Sequence, residues 1–155
     1  MVCLLTPDRI DAALLEALMT ASFDPRYGER WSSEQVLAAL AIPGTEAAIV
    51  RAGPGDDTPV GFALTRQVLD EAELLLIAVL PSQRGKGLGG RLLDHAIAQC
   101  RGAGARHMYL EVRDGNTVAT GLYKSRGFEV VGRRPGYYRS DKGELLDALT
   151  MHLPL

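Results

Sequence analysis

Leu74-Leu75-Leu76-Ile77-Ala78-Val79-Leu80-Pro81-Ser82-Gln83-Arg84-Gly85-Lys86-Gly87-Leu88-Gly89-Gly90 is the stretch whose reading decides the fold. An unbroken apolar run bounded by turn residues is the pattern of a strand covered on both faces. From Gly87 the period changes: Leu88, Leu92, His95/Ala96 and Gln99 fall along one line, with Leu93 and Ile97 beside it. That spacing predicts a helix to about Cys100, which Gly102 and Gly104 stop. Four glycines between a strand and a helix suit an anion. The first amides of a helix lack partners and carry roughly half a positive charge, and glycines let that backbone lie against a ligand. Arg84, Lys86 and Arg91 add charge at the same place.

Upstream, Cys3 to Leu5 reads as a short first strand. Thr6-Pro7-Asp8 reads as a helix start, with Ile10, Ala13, Leu14, Ala17 and Leu18 at helical spacing until Phe23-Asp24-Pro25 ends it. After Trp31, Ser32-x-x-Gln35 fits a capping box, with Val36, Leu37 and Leu40 as the stripe and Pro43-Gly44 as the stop. Glu46 to Arg51, Val60 to Leu69 and Leu74 to Leu80 form an antiparallel meander, turned by residues 53–57 and by Asp70-Glu71. Downstream come a strand from Arg106 to Val112, a loop at Arg113-Asp114-Gly115 and a short helix from Asn116 to Ser125. A strand from Phe128 with a break at Pro135-Gly136 and a last strand from about Leu145 to Leu153 complete the chain. The order ββββ-α-β-α-ββ predicts one α/β domain over residues 1–155, its mixed sheet part antiparallel and part parallel.

Three readings of the glycine loop compete. It can be an ordinary turn. It can be a dinucleotide loop, since Gly85-x-Gly87-x-x-Gly90 satisfies G-x-G-x-x-G with Glu111 about twenty residues on. Such a loop usually follows the first strand, whereas here about half the domain precedes it. A phosphate loop of the form G-x-x-x-x-G-K-S/T is absent from the sequence. The third reading is coenzyme A. Arg84-x-x-Gly87-x-Gly89 after the fourth strand of a meander resembles the pyrophosphate-binding pattern of the Gcn5-related N-acetyltransferase superfamily.

The resemblance covers nearly the whole chain and is closest to the bacterial ribosomal-protein-alanine N-acetyltransferases. It rests on Val68-Leu69-Asp70-Glu71-Ala72 with Ile77-Ala78-Val79, and on Leu110-Glu111-Val112-Arg113, Asn116, Leu122-Tyr123 and Gly127-Phe128. Arg133-Arg134, Tyr137-Tyr138 and the Asp147-Ala148-x-x-Met151 ending also resemble that group. Three positions depart from it: Gly85 stands where a second basic residue is frequent, Leu76 replaces a polar residue, and Pro135-Gly136 precedes the tyrosines. The resemblance implies a sheet of about seven strands flanked by about four helices, acetyl-CoA as cosubstrate, and no metal.

It also implies roles. Ile77, Ala78 and Val79 would bind pantetheine through their backbone, with Val79 N–H as the oxyanion donor, a contribution typically worth about 3 kcal/mol of barrier. Arg84, Gly85, Lys86, Gly87, Leu88, Gly89 and Gly90 would hold the pyrophosphate. Asn116, which caps its helix on a plain reading, would bond the pantetheine arm. Glu111 ends an otherwise apolar strand, where partial burial raises a carboxyl toward neutrality, and would act as base, directly or through water. Its plain alternative is a strand-end carboxylate salt-bridged to Arg113. Tyr123 sits on a helical face with Val118, Ala119 and Leu122, as a core residue would; the resemblance makes it the acid for the leaving thiolate. A phenol near ~10 reprotonating a thiolate whose acid is near ~8.5 meets a mismatch of only about 2 kcal/mol. Tyr137 and Tyr138 would wall the acceptor groove, or simply follow strand alternation. Trp31 reads as an aromatic staple ahead of its helix rather than a groove residue.

Composition bounds the remaining choices. The 155 residues are 46% hydrophobic and 23% charged, the balance of an ordinary globular protein, and a net charge of −2 supplies no broad attraction for nucleic acid or a membrane surface. The local basic excess from Lys124 to Lys142 is either a solvated face or a meeting point for an anionic partner. Cys3 and Cys100 form no metal or disulfide pattern, and His95, His107 and His152 lack metal-ligand spacing. No apolar run approaches the ~20 residues of a membrane helix, and residues 1–5 are too short for a signal core, so a cytoplasmic location is expected. An α-amine titrates near ~8 and needs less help than a lysine amine near ~10.4. The leading function is therefore acetylation of a protein N-terminus, with a ribosomal protein bearing N-terminal alanine as the acceptor the resemblance implies. Lysine side chains and small-molecule amines are the alternative acceptors. A non-catalytic acetyl-CoA sensor has no need of both Glu111 and Tyr123.

Overall fold

In a computed structural model, which describes residues 2–5, 12–28 and 31–155, the apolar run forms most of β4 (Glu71–Val79). The elements before it are β1 (Val2–Leu5), α1 (Ala12–Ser22), α2 (Ser33–Leu40), β2 (Thr45–Gly53) and β3 (Asp56–Val68). Those after it are α3 (Leu88–Gly102), β5 (His107–Arg113), α4 (Thr117–Ser125), β6 (Glu129–Arg139) and β7 (Leu145–Pro154). The seven strands make one mixed sheet in the order β1-β2-β3-β4-β5-β7-β6, in which β4 and β5 run parallel and the other pairs antiparallel. Among the described residues, strand content, mixed pairing and four helices agree with the fold the sequence implies.

Two apolar cores flank this sheet. On one side Leu92, Leu93 and Ile97 of α3 join Tyr123, Phe128, Leu110 and Met151; on the other, Leu15, Leu18 and Met19 of α1 and Val36 of α2 join Phe62 and Leu64. Each fully buried Leu, Met or Phe side chain contributes roughly 1.5–3 kcal/mol. The capping box that starts α2 is present: Gln35 N–H donates to the Ser32 hydroxyl at 3.1 Å and Ser32 N–H to the Gln35 side chain at 2.8 Å.

One irregularity in β4 decides which of its side chains reach which core. Its register with β3 passes from Leu64 opposite Leu76 to Thr65 opposite Leu74, so Leu75 is an extra residue. A bulge of this kind resets the alternation of side chains. Ala72 and Leu74 accordingly pack into the core under α3, while Leu76 and Ala78 pack into the core under α1 and α2. The unbroken apolar run encodes a strand that serves both cores.

Some elements differ from the sequence expectation. β2 and β3 are longer than their apolar cores, leaving Pro54-Gly55 as the turn, and Pro59 is tolerated in β3 because the register shifts beside its partner Arg51. Pro135-Gly136 does not break β6: the strand continues through it with a register shift. The expected helix start at Thr6-Pro7-Asp8 lies outside the described residues, and the described part of α1 ends at Ser22, just ahead of Phe23-Asp24-Pro25. Among the described residues no helix is long and apolar enough to cross a membrane.

Gly61 lets β3 lie close against β4, because a Cβ there would stand 2.6 Å from the Ala78 carbonyl oxygen. Gly61→Ala therefore forces the two strands apart. The expected loss is about 2 kcal/mol, read as a fall in Tm of roughly 4–8 °C; an unchanged Tm would refute this packing.

Candidate active site

β4 and β5 pair from Glu71 opposite His107 to Leu74 opposite Leu110, and then separate. The fork opens at the Leu75 bulge. Leu80 N–H donates to Val60 O at 2.9 Å. Amides alternate between the two edges of an antiparallel ladder, so Leu76 and Ala78 also face β3, whereas Ile77 and Val79 face the fork. Of the three main-chain positions singled out in the sequence, Ile77 and Val79 thus face the opening and Ala78 faces β3.

The glycine loop lies at the same end. Gly85 and Gly87 take φ of 76° and 75°, a left-handed backbone that favours glycine, and a Cβ at either would meet nothing within 4 Å. Gly87 is the N-cap of α3 and supplies no side-chain cap, so the first-turn amides of α3 have no intrahelical acceptor. The basic side chains are placed differently from the expectation. Arg84 donates to the main-chain oxygens of Val79 at 3.1 Å and Ser22 at 2.6 Å, tying the end of β4 to the end of α1. Lys86 donates to Gln83 at 2.9 Å. A Cβ at Gly90 would meet the Arg126 guanidinium, the far end of a side chain bonded to Asp94.

Beyond the fork lies a cavity of about 160 Å³ that brings together Ile77, Glu111, Asn116, Tyr123, Tyr137 and Tyr138. Tyr123 is buried, with its ring edge-on to Phe128 at 5.9 Å. Asn116 caps α4 by accepting the Ala119 amide at 3.2 Å. The Glu111 carboxylate is 12% exposed, and both of its oxygens are engaged: Oε1 by Arg134 Nε at 3.0 Å, Oε2 by the Thr150 hydroxyl at 2.8 Å. The ion pair suggested with Arg113 is replaced. Arg113 lies over the Tyr27 ring, 3.7 Å from its centroid. Trp31 both packs against the core that contains Val36 and lines the cavity, so the groove role set aside on the sequence has a structural basis.

The tyrosine wall is built by a second bulge. From Arg134 to Tyr138, four positions along β6 face two along β7, from Ala148 to Leu146. Asp147 closes this bulge: its carboxylate accepts the Gly136 amide at 3.0 Å and pairs with Arg133 at 3.0 Å, and Arg133 also reaches Asp114 at 2.7 Å. The Gly136 amide and then the Arg133 guanidinium hold the Asp147 carboxyl below the usual carboxylate range. Tyr137 and Tyr138 stand edge to face at 4.9 Å beyond it.

Sequence reasoning missed Phe23, Glu73 and Leu75 in the cavity lining and Thr150 beside Glu111. Thr150 carried a signal: it is polar in a last strand whose neighbours are mostly apolar. His107 and His152, far apart in sequence, meet at 2.9 Å between ring nitrogens, yet no group of three or more metal-ligating side chains forms among the described residues. Half of the basic residues from Lys124 to Lys142 form ion pairs, Arg126 with Asp94, Arg133 with Asp114 and Asp147, and Arg134 with Glu111. Burial pushes the Cys100 thiol up, which fits a structural cysteine.

A forked mixed sheet beside an uncapped glycine helix start is the framework of an α/β domain with an anion-binding corner, and comparison with known proteins makes it particular. Residues 13–128 match the acetyltransferase (GNAT) family profile. The chain is 43% identical over 100 residues to the ribosomal protein bS18-alanine N-acetyltransferase of Salmonella typhimurium, covering 64% of this chain and 67% of that one. It is 44% identical over 94 residues to that of Escherichia coli strain K12, covering 61% and 63%, so the aligned stretches span about two thirds of these relatives. The crystal structure of the Escherichia coli ribosomal-protein-S18-alanine N-acetyltransferase superposes with a TM-score of 0.83 at 31% identity, covering 99% of this chain and 92% of that one. The chain belongs to the acetyltransferase (GNAT) family.

Because folding depresses the Asp147 pKa, the stability it confers is present above the unfolded value near ~3.9 and is lost as pH falls through the lower folded value. Asp147→Asn keeps an acceptor for the Gly136 amide and removes the charge. Its Tm should lie below wild type at neutral pH, and the gap should close below about pH 4. A gap that stays constant into acid would count against the charged clamp.

Proposed function

We propose that this chain, acting as one domain over residues 1–155, transfers the acetyl group of acetyl-CoA to the N-terminal α-amine of a cytoplasmic protein. A ribosomal protein with N-terminal alanine is the acceptor favoured by the names of the relatives. The observation that carries the reading is the cavity at the fork, which Glu111, Tyr123 and Ile77 line together. The residues present suit the cosubstrate. Uncapped amides at the start of α3, with open space beside Gly85 and Gly87, are the chemistry that a pyrophosphate requires.

When bound, acetyl-CoA supplies an acyl group already activated as a thioester. Gly85, Gly87, Leu88 and Gly89 would hold the phosphates through main-chain amides, with Lys86 contributing charge. Ile77 and Asn116 would line the path of the pantetheine arm, whereas Ala78, expected there from the sequence, turns its amide to β3 and its side chain into the α1–α2 core. Val79 N–H, aimed into the fork, would donate to the carbonyl oxygen as charge builds there. Glu111 would take the proton of the α-ammonium, directly or through one water, and Tyr123 would return a proton to the departing sulfur. Tyr137 and Tyr138 would bracket the acceptor's first residue. A lysine amine near ~10.4 asks more of the same carboxylate, so the α-amine is preferred.

Incubation with acetyl-CoA and a set of N-terminal peptides, followed by mass spectrometry, is expected to place the acetyl group on the α-nitrogen. Modification confined to lysine side chains would transfer the proposal to that acceptor class. Glu111→Gln is expected to lower kcat/KM by about 10²-fold near neutral pH, with partial recovery at higher pH where free amine accumulates. Wild-type activity across pH would remove Glu111 from the mechanism.

A further inference from the structure

Glu111 faces a contradiction if it is the base. Both of its oxygens are occupied, one by Thr150 and one by Arg134. The two occupants are not equivalent. Thr150 is the cross-strand partner of Glu111 on β7, partly buried and fixed by the ladder. Arg134 reaches in from β6, next to the Pro135-Gly136 bulge, and its side chain is 61% exposed. Its neighbour Arg133 points the other way and is held by two carboxylates. The Arg134 guanidinium also lies 5.6 Å from the centroid of the Tyr137 ring, a cation–π contact made alongside the ion pair, so that ring still holds the guanidinium when the carboxylate is taken.

We propose that Arg134 is a positioning residue that fills the acceptor's cation site: it pairs with Glu111 while the groove is empty, and the incoming α-ammonium displaces it toward Tyr137. The inference rests on the proposed N-terminal acetylation and assigns to Arg134 a part in acceptor affinity. An acceptor amine near ~8 arrives mostly as a cation at neutral pH, so it meets an anion whose place beside Oε1 is already taken. Only the open fraction of the protein binds the acceptor, and the apparent affinity is reduced by that fraction.

The test is steady-state kinetics on an N-terminal peptide with wild type, Arg134→Gln and Arg134→Lys. Arg134→Gln is expected to lower the acceptor KM about three- to fivefold, the scale set by a partly exposed ion pair, with the acetyl-CoA KM within about twofold of wild type. Arg134→Lys keeps a cation and should return the acceptor KM toward the wild-type value. A role only in bracing the carboxylate would instead lower kcat or raise the acceptor KM in Arg134→Gln, and either result overturns the proposal, as does an acceptor KM unchanged in both variants. Wild type that acetylates no N-terminal peptide would reject the function itself, an outcome distinct from an active enzyme indifferent to residue 134.

Discussion

The parting of β4 from β5 after Leu74 and Leu110 is the constraint on which the rest of the molecule depends. An interior strand ordinarily pairs along both edges, and a buried amide left without a partner costs about 1–3 kcal/mol. The fold accepts an open edge from Leu75 onward because other contacts hold the strand in place. β3 pairs with β4 along its whole length, α3 and the α1–α2 layer cover its two faces, and Arg84 fastens the Val79 carbonyl to the last turn of α1. What stays open is main chain pointing toward a cavity, a surface suited to a ligand that brings its own hydrogen-bonding groups. The uncapped start of α3 repeats the same logic one loop later.

Electrostatics organise the other side of the cavity. Arg133 is shared between Asp114, in the turn before α4, and Asp147, on β7, and thereby links the segment that carries Asn116 to the strand that carries the tyrosines. Exposed pairs of this kind contribute little one at a time. Their geometry still matters, because Asp147 also accepts the Gly136 amide and so fixes where the bulge falls. Moving that bulge by one residue would exchange the faces on which Tyr137 and Tyr138 project.

Much of this was legible in the residues. Helical spacing after Gly87, the Ser32–Gln35 box and the glycine pattern are local signals, and local geometry followed them. Glu111, Tyr123, Asn116, Tyr137 and Tyr138, well separated in sequence, do line one cavity. The misses were long-range. Periodicity says that a strand exists but not which edge is paired, so the fork was implied only by the family resemblance and the Leu75 bulge was out of reach. Nothing in Glu111-Val112-Arg113 reveals that the carboxylate is met from β6 and β7 rather than by its neighbour Arg113. A basic residue's partner is set by sheet order, and β7 lies between β5 and β6 against the order of the chain.

The two bulges share a purpose that neither strand alone discloses. In a regular sheet, side chains and amides leave at fixed intervals, and a cavity between diverging strands would inherit whatever that repeat supplied. An extra residue at Leu75 lets β4 serve the α1–α2 core with Leu76 and Ala78 and still turn Ile77 and Val79 toward the opening. Two extra positions between Arg134 and Tyr138 let β6 keep its ladder with β7 while presenting two aromatic rings and a guanidinium at the cavity rim. The regular ladders supply the rigidity, and the interruptions supply the aim. A length change of one residue at either interruption alters which groups face the cavity.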